Sequence, residues 1–154
     1  MNEQELQDKI KDKLERKYGA RNVWVNAGIA EHGVDLILIF GGGDAAGHNE
    51  SEFGEELVIG IQFKAEERLG AGIAQKAVGQ ATVAFGHRFP IVDQHGRMLD
   101  LVYIMNYGEI LPQAREYLAD ARNTLKGLLW FDKSKLEPYL ASTVPTSELL
   151  EEIR

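Results

Sequence analysis

Two apolar runs, each too short for a helix and each carrying polar groups at one end, constrain this chain more than any other feature. The first follows Glu31-His32-Gly33-Val34-Asp35 and reads Leu-Ile-Leu-Ile-Phe; the second is Leu57-Val-Ile-Gly-Ile-Gln62-Phe63-Lys64-Ala65. Runs of this length bounded by glycine and polar residues read as buried strands. Side chains alternate faces along a strand, so Gln62 and Lys64 project together while Phe63 points the other way. Pairing the two strands as a hairpin brings Asp35 toward them. The result is a set of oxygen donors suited to a hard cation, beside one ammonium, a combination that serves phosphodiester hydrolysis.

The rest of the chain supplies helices to cover such a sheet. Leu6, Ile10, Leu14 and Tyr18 form one stripe over residues 3–18, and Gly19 is placed to end that helix. Residues 23–25 read as a short strand, 34–40 as the second and 57–65 as the third. The polar, glycine-rich stretch 41–56 between the latter two is expected to be a long, poorly ordered loop. Ile73, Ala77, Val78, Ala81, Ala84 and Phe85 recur at helical spacing, leaving Gln75, Lys76 and Gln80 toward the other face. A strand over 99–105 follows. Then comes a helix from Pro112 with Ala114, Tyr117, Leu118, Ala121 and Leu125 inward, a strand over 128–131, and a helix over 136–140 with Ser134 as its expected cap. The tail 144–154 reads as a last acidic helix. This order predicts one α/β domain spanning 1–154, with strands 34–40 and 57–65 antiparallel and the later, helix-connected neighbours parallel.

Composition narrows the function classes. The chain has 154 residues and no cysteine, which excludes disulfides and thiolate metal sites. No apolar run approaches the roughly 20 residues of a membrane helix, and the N-terminus lacks a signal peptide's basic and apolar regions, so a cytoplasmic location away from membranes is expected. The four histidines show no HxxxH or HxH spacing, which argues against zinc. Gly41-Gly42-Gly43 lacks the ending of a phosphate-binding loop. The net charge of −7 repels polyanions at long range, so nucleic-acid binding has to come from local clustering.

The motifs resemble those of the PD-(D/E)XK nuclease superfamily, and within it the Mrr-type restriction endonucleases. Glu31-His32-Gly33-Val34-Asp35 fits the acid-x-Gly-x-Asp motif, and Gln62-Phe63-Lys64 fits the second motif with glutamine in place of the usual second acid. Leu101-Val-Tyr-Ile-Met, Pro112-Gln-Ala-Arg-Glu-Tyr-Leu and Gly127-Leu-Leu-Trp-Phe-Asp resemble the strand, helix and strand that close that core. The resemblance extends from the first helix to Leu140. It implies a restriction endonuclease-like sandwich, a central mixed β-sheet flanked by helices. It also implies a metal-dependent DNA endonuclease acting in restriction, defence or DNA processing, with Mg²⁺ as cofactor and Mn²⁺ able to substitute.

On that resemblance Asp35, Gln62 and Glu31 are the expected metal ligands, and Lys64 joins them in catalysis by stabilising charge that develops at phosphorus. Each residue alone has an ordinary reading: Asp35 as a strand-edge turn acid, Gln62 as a polar strand end, Lys64 as a surface lysine with a buried stem, Glu31 as a solvated acid. A further family acid from the first helix has Glu3, Glu5 and Glu15 as candidates, none at the expected offset. Gln80, with Gln75 as competitor, stands where related nucleases carry a polar residue facing the site, against the ordinary reading of a solvent-facing glutamine. His87, Arg88, Arg97 and Lys76 are candidates for phosphate contact, against the ordinary reading of solvated surface. DNA is the expected partner, with recognition supplied by loops, a homodimer or a separate subunit. The alternative is a catalytically weakened module of the same fold that binds nucleic acid or protein. A Holliday-junction resolvase fits less well, because it needs a basic dimer face.

Overall fold

The computed structural model describes residues 1–26, 32–40, 56–91 and 96–142. The expectations for the loop 41–55, for Glu31 and for the tail helix lie outside the described residues. Helix α1 (Glu3–Tyr18) begins at Asn2, whose side chain accepts a hydrogen bond from Glu5 N–H (2.8 Å). It ends at Gly19, at φ 90°, whose N–H donates to Glu15 O. Glu3 and Glu5 in the first turn and Arg16 and Lys17 in the last complement the helix dipole. Leu6, Ile10, Leu14 and Tyr18 are all buried.

Among the described residues the central sheet has five strands in the order β1-β2-β3-β5-β7. These are β1 (Val23–Val25), β2 (Leu36–Phe40), β3 (Leu57–Lys64), β5 (Leu101–Asn106) and β7 (Leu128–Phe131). β1, β2 and β3 pair antiparallel, whereas β3, β5 and β7 pair parallel. Parallel pairing follows from helical crossovers: α2 (Ala71–Phe85) leads from β3 toward β5, and α3 (Pro112–Arg122) joins β5 to β7. A small parallel pair, β4 (Arg68–Leu69) with β6 (Glu109–Ile110), sits beyond the ends of β3 and β5. Two-residue strands leave no periodicity to read, so this pair is not legible in the sequence.

The alternation along β3 divides the core into two layers. Ile59, Ile61 and Phe63 pack with Leu36, Leu38, Tyr103 and Met105 under α1 and α4 (Lys133–Ala141). Val58 packs with Ile37, Ile39, Val102 and Ile104 under α2 and α3. The α2 face against the sheet is Ala74, Ala77, Ala81 and Ala84, all fully buried. Small side chains there let the helix backbone approach the sheet closely, and this closeness shapes the site. The molecule is thus an α/β fold with a mixed sheet flanked by helices.

The first strand of the hairpin is shorter than expected, beginning at Leu36 rather than Val34, and β3 stops at Lys64. The α4 cap also differs from expectation. Asp132, not Ser134, caps the helix: its side chain accepts from Lys135 N–H and from the Ser134 hydroxyl, and it pairs with Arg115. A carboxylate is the stronger acceptor, and the serine is already the second residue of the helix. Partial burial pushes the Asp132 carboxyl up, but Ser134, the Lys135 N–H and Arg115 outweigh it and leave its pKa below the ordinary value. Asp132→Ala is expected to cost about 1 kcal/mol of stability, the usual loss for an N-cap. A carboxyl with a depressed folded pKa stabilises above its unfolded value and loses that contribution as pH falls through the folded one. Thermal melts should therefore show the penalty at pH 7 and a smaller one near pH 3.

Candidate functional site

The site forms where β2 stops and β3 continues. The ladder reaches the pair Leu36–Ile61, and Asp35 N–H then donates to Ile61 O (2.8 Å) as the chain bends away. Beyond this point β3 has lost its partner on the β2 side, although it stays paired with β5. Asp35 replaces the lost partner: its Oδ2 accepts from Phe63 N–H at 2.9 Å. On the other side, Asn26 N–H donates to Asp35 O and Asn26 Nδ2 to Val34 O, both at 2.9 Å. Asp35 is therefore held by its neighbours in the sheet on both flanks, at the level of the Gln62–Phe63 peptide.

Gln62 is 3% exposed, one of two polar residues buried among the described residues. Its Nε2 donates to Gly33 O (2.9 Å). Its Oε1 is buried and has no hydrogen-bond partner among the described residues. An unsatisfied buried carbonyl costs roughly 1–3 kcal/mol, so this oxygen is the polar atom of the site with the most to gain from a partner. Lys64 lies two residues on, on the same side of β3, with its Nζ 3.3 Å from Gln80 Oε1 on α2. Gln80, not Gln75, is thus the α2 residue that reaches the strand.

The turn before Asp35 is unusual. His32 and Gly33 both have left-handed backbones, with φ of 52° and 86°. A Cβ on Gly33 would lie 2.1 Å from Gln80 O and 2.8 Å from Gln80 C. Only glycine fits there, because the α2 backbone occupies the space. Gly33→Ala therefore combines a strained φ with a backbone clash. It is expected to destabilise the fold by roughly 1–3 kcal/mol, read as a shift in the urea midpoint with m unchanged. The His32 ring stacks on His87 (centroids 3.6 Å apart, planes at 15°), and His87 meets the buried Phe89 edge-on at 4.7 Å. Desolvation and the neighbouring His32 hold the His87 imidazole below its ordinary pKa.

One contributor was missed by the sequence reading. Asn106, 0% exposed, stands beside Lys64 in the parallel register. Its Oδ1 accepts from Glu66 N–H, and its Nδ2 donates to Glu66 O and Glu109 O. It clamps the chain just after Lys64, fixing where β3 ends. The only sequence signal was an amide closing an otherwise apolar strand.

The structure thus gathers Asp35 and Gln62 about one peptide of β3, places Lys64 one pleat further along, and sets Gln80 against the lysine. Arg97 pairs with Glu56 (2.6 Å), away from the phosphate role considered for it. Among the described residues no group of three or more His, Asp or Glu side chains gathers as a metal cage; Glu31 lies outside them, and the Gln62 carbonyl is a further kind of donor. Set against family models, curated proteins and solved structures, the chain matches none of them.

Proposed function

We propose that the chain is a metal-dependent DNA endonuclease with a restriction endonuclease-like core, hydrolysing phosphodiester bonds in DNA restriction, defence or processing. The observation that carries this reading is the buried Gln62 Oε1, without a partner among the described residues, on the strand segment whose next amide donates to the Asp35 carboxylate, with the Lys64 ammonium one pleat away. Two hard oxygen donors at one place fit Mg²⁺ or Mn²⁺ and fit zinc poorly. Asp35 and Gln62 would hold the ion, and Glu31, four residues before Asp35, is the candidate for a third ligand. When bound, such an ion polarises the phosphodiester and lowers the pKa of an attacking water. Lys64, oriented by Gln80, stabilises the charge that builds on the phosphoryl oxygens.

Charge placement supports access by a polyanion despite the net −7. From Arg68 to Val92 the chain carries no acid, only Arg68, Lys76 and Arg88. That segment contains all of α2, on which Gln75, Lys76 and Gln80 are exposed. A neutral to basic helix beside Lys64 is the approach with the least repulsion. Duplex selection falls to a second copy of the chain or a separate subunit, with the cytoplasm as the site of action. No helix among the described residues is long and apolar enough to cross a membrane.

One observation favours a second reading, a nuclease-fold module that binds without cutting. Asp35 and Gln62 both have structural employment, on Phe63 N–H and Gly33 O. Supercoiled plasmid incubated with Mg²⁺, Mn²⁺ or chelator separates the two. Nicking that needs the ion supports the enzyme. Intact plasmid and single strands in both metals, together with no calorimetric Mn²⁺ binding, would overturn it in favour of the module.

A further inference from the structure

We infer that His87, just past the C-terminal end of α2, is a positioning residue for the Asp35–Gln62 site and acts through its stack on His32. This rests on the nuclease reading for its consequence in catalysis, but the positioning itself stands on geometry alone. His32 is the one non-glycine residue with positive φ among the described residues, and Gly33 follows it in the same left-handed region. Two such residues in succession do not hold themselves; surrounding contacts must fix them. The Gln80 backbone blocks Gly33 from one side, and Gln62 Nε2 ties its carbonyl from another. The third support is the ring of His87, lying flat on the His32 ring at 3.6 Å.

His87 is itself braced. Its ring meets Phe89 edge-on, and Phe89 is 1% exposed. The Phe89 backbone is tied in both directions to Arg97, N–H to O at 2.9 Å and O from N–H at 2.8 Å. A rigid path therefore runs from the Phe89–Arg97 bridge through His87 and His32 to Gly33, whose carbonyl orients the Gln62 carboxamide. Turning that carboxamide so that Nε2 faces Gly33 is what leaves Oε1 presented as a ligand. Flat stacking, not proton transfer, is the property His87 contributes, so a neutral aromatic ring should replace it.

The test compares His87→Ala with His87→Phe in the full chain by two measurements. The first is hydrogen exchange of the Gln62 side-chain NH₂, followed by NMR without metal. The alanine variant should exchange at least about tenfold faster than wild type, and the phenylalanine variant should stay within about threefold. The second is Mn²⁺ affinity and cleavage: alanine should weaken metal binding severalfold and lower kcat with little change in KM for DNA, and phenylalanine should restore both. Unchanged Gln62 exchange in His87→Ala overturns the inference, as does equal impairment in both variants, which would mean the imidazole acts chemically. Should wild type bind no Mn²⁺, the exchange comparison still decides the positioning while the nuclease reading falls. Backbone exchange guards against a general loss of fold: exchange at the Leu36 and Ile61 amides rising as much as at Gln62 counts against a local role.

Discussion

Lys64→Ala should lower metal-dependent DNA cleavage by about 10²–10³-fold while leaving the fold intact. The ammonium lies one pleat from Gln62 and donates to Gln80 Oε1 at 3.3 Å. Removing one preorganised group that stabilises developing charge costs roughly 3–4 kcal/mol of transition-state energy. The loss should fall on kcat, because the charge it meets grows only as the bond breaks. Stability should change little: Lys64 is the last residue of β3, and its backbone carbonyl still accepts from Tyr107 N–H. Nicking rates of supercoiled plasmid in Mn²⁺, with a melting curve alongside, make the measurement. A variant that cuts at the wild-type rate would remove Lys64 from the mechanism. A variant that simply unfolds would show the lysine to be part of the architecture instead.

The second large effect is expected at Asp35, where two roles must be separated. Asp35→Ala should abolish cleavage and metal binding, but it also strips Phe63 N–H of its acceptor at the point where β2 has ended. Leaving that buried donor unpaired costs about 1–3 kcal/mol by itself. Asp35→Asn distinguishes the roles, since an amide oxygen can still accept from Phe63 N–H while the charge that draws a divalent ion is gone. The expected pattern is a stability loss with alanine that asparagine largely restores, and loss of Mn²⁺ binding in both. Calorimetry with Mn²⁺ and urea denaturation read the two quantities independently. If asparagine restores the fold and metal binding survives, Asp35 is a strand cap and nothing more.

Much of the architecture was written in local pattern. The stripe Leu6, Ile10, Leu14, Tyr18 declares a helix with one buried face, and Gly19 declares its end, because both depend on residues a few positions apart. The apolar runs of β2, β3, β5 and β7 and the helical crossovers between them likewise dictate a mixed sheet. Errors arose where one residue's choice depends on distant ones. β2 begins at Leu36 and not Val34 because the left-handed pair His32–Gly33 is pressed against α2, bending the chain at Asp35. Asp132 took the α4 cap from Ser134 because Arg115, on another helix, stands beside it.

The candidate site divides in the same way. Alternation alone put Gln62 and Lys64 on one side of β3, away from Phe63, since period-two geometry needs no partner strand. What those side chains touch was not legible. That Gln62 turns its amide toward Gly33 and leaves its carbonyl oxygen without a partner among the described residues depends on β2, β3 and α2 meeting at one point. The choice of Gln80 over Gln75 as the partner of Lys64 depends on how an all-alanine face seats α2 on the sheet. His32 and His87 lie 55 positions apart by their numbers in the chain, and nothing between them announces a stack. The sequence by itself determined the residue types and the face of the strand. The tertiary structure decided which of their polar atoms are spent on the fold and which has no partner among the described residues, because only long-range packing fixes hydrogen-bond partners.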